Sequence, residues 1–506
     1  MNLAPRPGRN WGPAGRRAAV RGLLLAALAG ARPSPAVPGA GAPGALESPA
    51  QLSRGELVTR VACAASSEQS YALYLPASYR PDRSWPILYA FDARGRALVP
   101  AALFRSGAER FGYIVASSYN SASDGPLEPN LEAMRAMWND THSRLTIDDR
   151  RVYAAGFSGT VRSACVMAML APGTIAGIIG AGAGFPFDRP PARDTSFAFF
   201  GTVGGRDFNY YEMVDLDAAL TALGLPHRIE QFDGGHQWPP EALASLALGW
   251  MDLQAQKAGR MPADPALVTA SWRRDLEAAR ALAAADKLLP AFHAWSQLAA
   301  DFAGIAATAA SEAERAEAAG QLSALQRSDR LRRALRQREE RNRRDKEYVA
   351  RAQKVLAGGA PGGDPGDVGK ALTELRIAEL KRKAQAAADP EDRLSAQRLL
   401  STVQVQTSFY LPQLFLSRQE YDRAIFSLSI AGEIAPDDPW VWYQLAAAHA
   451  RKGNPKRALA LLKRAVDTGW TDRARLEGDP AFAPLRGEEG FRKLIAGLAA
   501  QPASPS

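Results

Sequence analysis

The run Val152-Tyr153-Ala154-Ala155-Gly156-Phe157-Ser158-Gly159-Thr160 places a serine where an apolar strand gives way to a helix-like stretch. Small residues beside such a serine permit a tight strand-to-helix turn. The turn lifts the hydroxyl above a sheet and aims a helix N-terminus at a reacting carbonyl. The usual spacing is Gly-x-Ser-x-Gly; here the second glycine comes one residue early, at Gly159, and Thr160 stands in its place. A serine hydroxyl is a weak nucleophile until a base takes its proton, and the base needs a carboxylate to orient it. Downstream, the apolar segment 197–201 leads to Asp207, and segment 227–232 leads to Asp233-Gly234-Gly235-His236. Of the five histidines, His142 precedes the serine, His227 opens a strand, and His293 and His449 lie in helical sequence. Only His236 has the order and loop setting of a base. The candidate catalytic set is therefore Ser158 as nucleophile, His236 as base and Asp207 as orienting acid. Other roles stay open: Ser158 or Asp207 as a helix cap, His236 as a turn residue, and Asp188 as a rival carboxylate.

The elements that must position these residues follow from the apolar pattern. Strands are expected over 71–75, 87–91, 113–117, 152–155, 176–182, 197–201 and 227–232. Helices fit 130–144, 160–170, 209–223 and 240–256. Continuous runs such as Ile87-Leu88-Tyr89-Ala90-Phe91 suit strands buried on both faces. The alternation gives an α/β class with a mostly parallel sheet over 61–257. Beyond residue 256 strand signals cease, and Ala, Leu, Arg and Glu recur with helical period. A helical region is expected over 262–400, broken by a flexible glycine-rich loop near 358–366.

Residues 61–257 resemble the α/β-hydrolase superfamily, above all compact secreted bacterial esterases of the dienelactone-hydrolase and polyhydroxyalkanoate-depolymerase kind. Tyr71-Ala72-Leu73-Tyr74-Leu75-Pro76, residues 87–95, the turn at Ser158 and Gly234-Gly235-His236 carry the likeness. The resemblance implies an oxyanion hole of two backbone N–H groups, from Gly159 and from Ala93. The Ala93 loop has Asp92-Ala93-Arg94-Gly95 where the superfamily has His-Gly. It further implies a serine hydrolase that cleaves a small or polymeric carboxylic ester through an acyl-enzyme, with no metal or organic cofactor. The alternative is a catalytically drifted hydrolase body that serves as a protein-binding module.

That alternative draws on the C-terminal third. Leu411 and Leu445, Phe415 and His449, Ala424 and Ala458, Leu428 and Leu462, and Ala431 and Ala465 all stand 34 residues apart. This period resembles the tetratricopeptide repeat, expected over 405–496, whose inner groove takes a protein or peptide partner. Phe415, Trp442 and His449 fall on or beside that groove. Ser408 and Pro412 depart from the consensus.

Composition excludes other classes. Apolar residues make up 46% and charged residues 23%, as in ordinary globular chains. The net charge of +9 is concentrated in a five-arginine, acid-free segment over 1–31 and in residues 327–354, which read as a solvated helix face. The rest is slightly acidic, so no nucleic-acid partner is expected. Residues 22–31 form an apolar run of about ten residues, against about 20 for a membrane span. With the arginines before it and Ala29-Gly30-Ala31 after, it reads as a signal peptide over 1–31, followed by a Pro/Gly/Ala linker over 32–60. Export to the periplasm or beyond follows, with no transmembrane anchor after cleavage. Sec and twin-arginine routes both stay open, as does a Cys63–Cys165 bridge.

Overall fold

The computed structural model describes residues 52–305, 309–357 and 366–499. The signal peptide, most of the linker and residues 358–365 of the glycine-rich loop lie outside the described residues. The chain forms two compact units. One runs to Gly205 and again from Asn209 to Arg336, and the other holds Arg206–Phe208 and the chain from Gln337.

An eight-stranded sheet organises the first unit. Its strands are β1 (Leu57–Cys63), β2 (Ser66–Tyr74), β3 (Trp85–Phe91), β4 (Ile114–Ser118), β5 (Ile147–Phe157), β6 (Gly177–Ala181), β7 (Ala198–Gly204) and β8 (His227–Phe232). Their order is β1-β2-β4-β3-β5-β6-β7-β8. β2 is antiparallel to β1 and β4, and every neighbouring pair from β4 to β8 is parallel. The mostly parallel sheet read from the alternation is thus present. β1 begins inside the segment read as linker. It lacks a continuous apolar run because it is an edge strand, with Thr59 and Arg60 exposed.

Parallel neighbours need crossovers, and helices supply most of them. They are α1 (Leu98–Leu103), α2 (Arg105–Phe111), α3 (Glu128–Arg144), α4 (Gly159–Leu170) and α5 (Tyr210–Leu223), while α6 (Glu241–Lys257) follows the last strand. Successive β3 side chains alternate between two cores. Ile87, Tyr89 and Phe91 join Met137, Trp138, Val161 and Met213 on one face. Leu88 and Ala90 join Phe104, Ala108, Leu248 and Trp250 on the other. Each fully buried large side chain contributes about 1.5–3 kcal/mol.

Three further helices belong to this unit: α7 (Pro265–Ala284), α8 (Leu288–Asp301) and α9 (Glu312–Arg327). Trp272, Leu276, Trp295 and Leu298 pack with Leu253 of α6. Arg228 of β8 is buried and meets Glu230 at 2.7 Å, Asp275 at 3.0 Å and Asp301 at 3.1 Å. Trp250 Nε1 donates to Asp301 at 2.7 Å. The helices just beyond residue 262 therefore belong to the same compact unit as the sheet, with a buried cluster of their own.

The long helix α10 (Asp329–Ala357) begins in the first unit and ends in the second. There follow α11 (Val368–Glu374), α12 (Ile377–Ala386), α13 (Pro390–Val405), a π-helical turn at Gln406–Tyr410, α14 (Leu411–Ser417), α15 (Tyr421–Ile434), α16 (Pro439–Arg451), α17 (Pro455–Asp467), α18 (Arg473–Gly478), a 3-10 turn at Pro480–Leu485, and α19 (Glu489–Ala499). The 34-residue pairing matches two helical hairpins, α14–α15 and α16–α17. Ala424, Leu428, Ala431, Ala458, Leu462 and Ala465 are all buried. Phe415 and Trp442, expected on or beside an open groove, are buried between helices instead. Pro412 has no N–H for the carbonyl of Ser408, four residues back. Gln444 Nε2 donates to that oxygen at 2.8 Å. Among the described residues no helix is long and apolar enough to cross a membrane.

Asp301 offers a direct test of this packing. Removing one partner of a buried ion pair costs about 3–5 kcal/mol. Asp301→Ala, which also strips Trp250 Nε1 of its acceptor, should lower stability by that order in urea unfolding. An unmoved midpoint would show that the Arg228 network does not hold α8 to the sheet.

Candidate active site

Ser158 follows β5 and immediately precedes α4, with φ 58° and ψ −131°. Few non-glycine residues adopt such a backbone, and it costs of order 1–3 kcal/mol. The turn is held from three sides. Ser158 N–H donates to Ala181 O at the end of β6 at 2.8 Å, and Val161 N–H donates to Ser158 O at 3.0 Å. Gly156 must be glycine, since a Cβ there would lie 2.6 Å from Val161 N.

Thr160, the departure from the usual spacing, is the third support. It is fully buried, and its Oγ1 lies 2.6 Å from Phe91 O and 2.9 Å from Phe157 N. The hydroxyl donates to the carbonyl at the end of β3 and accepts from the strand that leads into the turn. A glycine would leave both contacts unmade.

The Ser158 side chain makes no helix-capping bond. Its Oγ lies 2.9 Å from His236 Nε2. His236 sits past β8 on a loop that presses on β7, where a Cβ on Gly204 would run into the Gly235 carbonyl. The His236 ring packs on Phe157, with centroids 4.7 Å apart. Asp207 lies on the loop between β7 and α5 and is fully buried. Asp188 is the poorer orienter, because its side chain is 80% exposed and its charge faces Arg189 at 3.9 Å.

Ala93 lies in the loop after β3, and its carbonyl accepts Ser123 N–H at 3.0 Å. Asp92 beside it is fully buried. One carboxylate oxygen takes Arg94 N–H and Arg96 Nε, each at 2.9 Å, and the other takes Arg96 Nη2 and Trp238 Nε1, also at 2.9 Å. Burial opposes ionisation, yet Arg96, the Trp238 indole and the Arg94 N–H together hold the Asp92 carboxyl below the usual carboxylate range. Gly159 N–H donates to Ser123 Oγ at 3.1 Å, and that hydroxyl donates to Asp124 Oδ2 at 2.9 Å. Asp124 has φ 58°, a second strained non-glycine turn.

Ser158 and His236, both singled out in the sequence, are brought within 2.9 Å of each other; Ser123, Arg96 and Trp238 beside them were not singled out. Trp238, two residues past the base, carried only the signal of a large aromatic in a glycine loop. Ser123 carried none. Among the described residues no group of three His, Cys, Asp or Glu side chains could hold a metal ion. Cys63 and Cys165 are both buried and free, and burial pushes both thiols up.

The strand order, the strained Ser158 turn and the histidine after the last strand define an α/β-hydrolase fold in the first unit. A Tetratricopeptide repeat family pattern matches residues 415–475 in the second. Solved structures similar to this chain include a ferulic acid esterase, 16% identical, covering 36% of this chain and 91% of its own at TM-score 0.29. An S-formylglutathione hydrolase from Staphylococcus aureus is 13% identical over 36% of this chain and 90% of its own, at TM-score 0.30. An esterase from Pyrobaculum calidifontis is 13% identical over 40% and 85%, at TM-score 0.31. No curated protein matches the chain in sequence.

Thr160 is expected to be a structural support of the turn. Thr160→Val keeps the shape but leaves Phe91 O without its hydroxyl donor, at about 1–3 kcal/mol for a buried polar group left unsatisfied. Urea unfolding should show that loss, and Thr160→Ser should recover most of it.

Proposed function

We propose that this chain is an exported serine hydrolase that cleaves a carboxylic ester. The observation behind this reading is the 2.9 Å contact between His236 Nε2 and Ser158 Oγ, on a backbone strained to φ 58°. With the ring proton on Nδ1, Nε2 accepts the Ser158 proton as Oγ attacks the ester carbonyl carbon. The tetrahedral intermediate collapses as its C–O bond breaks, and His236 returns the proton to the leaving alcohol. Water, activated by the same base, then frees the acid. Asp207 is assigned the orienting role by its place in chain order, its loop after β7 and its full burial. Gly159 N–H and Ala93 N–H are the assigned oxyanion donors. The repeats are assigned a protein or peptide partner, and export rests on the N-terminal sequence alone.

A second reading is a hydrolase body without turnover that serves as a binding module beside the repeats. Ser123 Oγ on the Gly159 N–H favours it, because an oxyanion needs that donor. A fluorophosphonate probe separates the two readings: labelling of wild type but not of Ser158→Ala supports the enzyme, and an unlabelled wild type supports the binding module.

Triad members act as a unit. Ser158→Ala, His236→Ala and Asp207→Asn should each cut turnover of a short-chain ester by roughly 10⁴- to 10⁶-fold, and the Ser158/His236 double variant should be scarcely worse. Ser123 should act in the opposite sense. An ester carbonyl must displace its hydroxyl, at about 0.5–1.5 kcal/mol for a neutral hydrogen bond. Ser123→Ala should therefore raise kcat/KM by about 2- to 10-fold, and a fall would recast Ser123 as an aid to catalysis.

A further inference from the structure

The Asp92 loop stands where the superfamily pattern has His-Gly, a departure that by itself leaves the geometry of the loop open. The structure gives that loop a defined anchor. Asp92 reaches two loops at once. On its own loop it collects Arg94 N–H at 2.9 Å, Arg96 N–H at 3.3 Å and both arms of the Arg96 guanidinium. Across the site it accepts Trp238 Nε1 at 2.9 Å, from a residue 146 positions away and two past His236. The Asp92 backbone carbonyl also takes Gly95 N–H at 3.2 Å and Ser121 Oγ at 2.8 Å. Trp238 is buried against Phe157 at 5.7 Å between ring centroids, and Phe157 in turn carries the His236 ring. A buried carboxylate with this many donors is fixed in position, since any displacement orphans several of them.

We propose that Asp92 is a positioning residue for the hydrolysis at Ser158. It ties the loop of the oxyanion donor Ala93 to the loop of the base His236, so that both hold their places around one nucleophile. This role rests on the hydrolase reading above. Its chemical demand is geometric: the oxyanion donor and the base act on the same tetrahedral carbon, and they come from segments that nothing local in the sequence holds together. Arg96, half exposed, balances the charge of the buried carboxylate. Trp238 carries the coupling to the base.

The test uses the full chain. Fluorophosphonate titration counts competent Ser158 sites, and kcat and KM for a short-chain ester are then expressed per titrated site. Asp92→Asn turns one acceptor oxygen into a donor facing donors. It should lower kcat per site by about 10- to 100-fold, the scale of a small misplacement of reacting groups. KM should change little. Trp238→Phe should show the same split, and the double variant should fall no more than about 3-fold below Asp92→Asn, because both break one coupling. Arg96→Met, a change at a half-exposed side chain, should lower kcat in the same direction but less, and it carries the test where Asp92→Asn does not fold. Unchanged kcat per site in these variants overturns the proposal and leaves the hydrolase reading intact. A fall in the number of titrated sites alone makes Asp92 a folding residue and also overturns it. A wild type that neither labels nor turns over ester removes the hydrolase reading, and the positioning role with it.

Discussion

Everything in the first unit converges on one backbone constraint, the positive φ of Ser158. A serine at φ 58° gives up about 1–3 kcal/mol unless its surroundings hold it there. Three central strands supply that hold. β5 delivers the residue, the end of β6 accepts its N–H, and the end of β3 anchors Thr160 just beyond it. Only a sheet with β3, β5 and β6 side by side and parallel brings those three strand ends to one point. The departure from the usual glycine spacing is thereby accommodated. The Thr160 hydroxyl fills the space with two polar contacts of its own.

Buried charge acts in this unit as a constraint on geometry more than as net stability. An ion pair taken out of water gains little over a well-packed apolar pair, but either member left alone is costly. Arg228 binds β8 to Asp275 and Asp301, on helices 47 and 73 residues further along the chain. Asp92 binds the loop after β3 to the loop after β8. Each joins segments that packing alone would bring near without fixing their distance.

The repeats of the second unit are held by a different device. Small residues at Ala424, Ala431, Ala458 and Ala465 let helices approach, and leucines fill the remaining space. Where Pro412 breaks the pattern, the backbone makes a π-helical turn and Gln444 bonds the carbonyl that the proline leaves without a partner. Gln444 is thereby committed to the fold. Phe415 and Trp442 are likewise spent on helix packing rather than left open to a peptide groove.

Seven of the strands, the fold class and the Ser158–His236 pair were legible because their signals are local. Continuous apolar runs mark strands buried on both faces, and turn glycines mark the two loops. The 34-residue period was legible for the same reason. β1 was not, because its exposed Thr59, Arg60 and Ala62 interrupt the apolar residues along it. The membership of α7 to α9 in the sheet unit was hidden too, because helical periodicity says which face is apolar and not what covers it. Ser123 and Trp238 took their places only in the tertiary structure. Trp238 meets Asp92 across 146 residues and Ser123 meets Gly159 across 36. A contact at that separation is decided by which strands lie side by side, and no local pattern of residues records it.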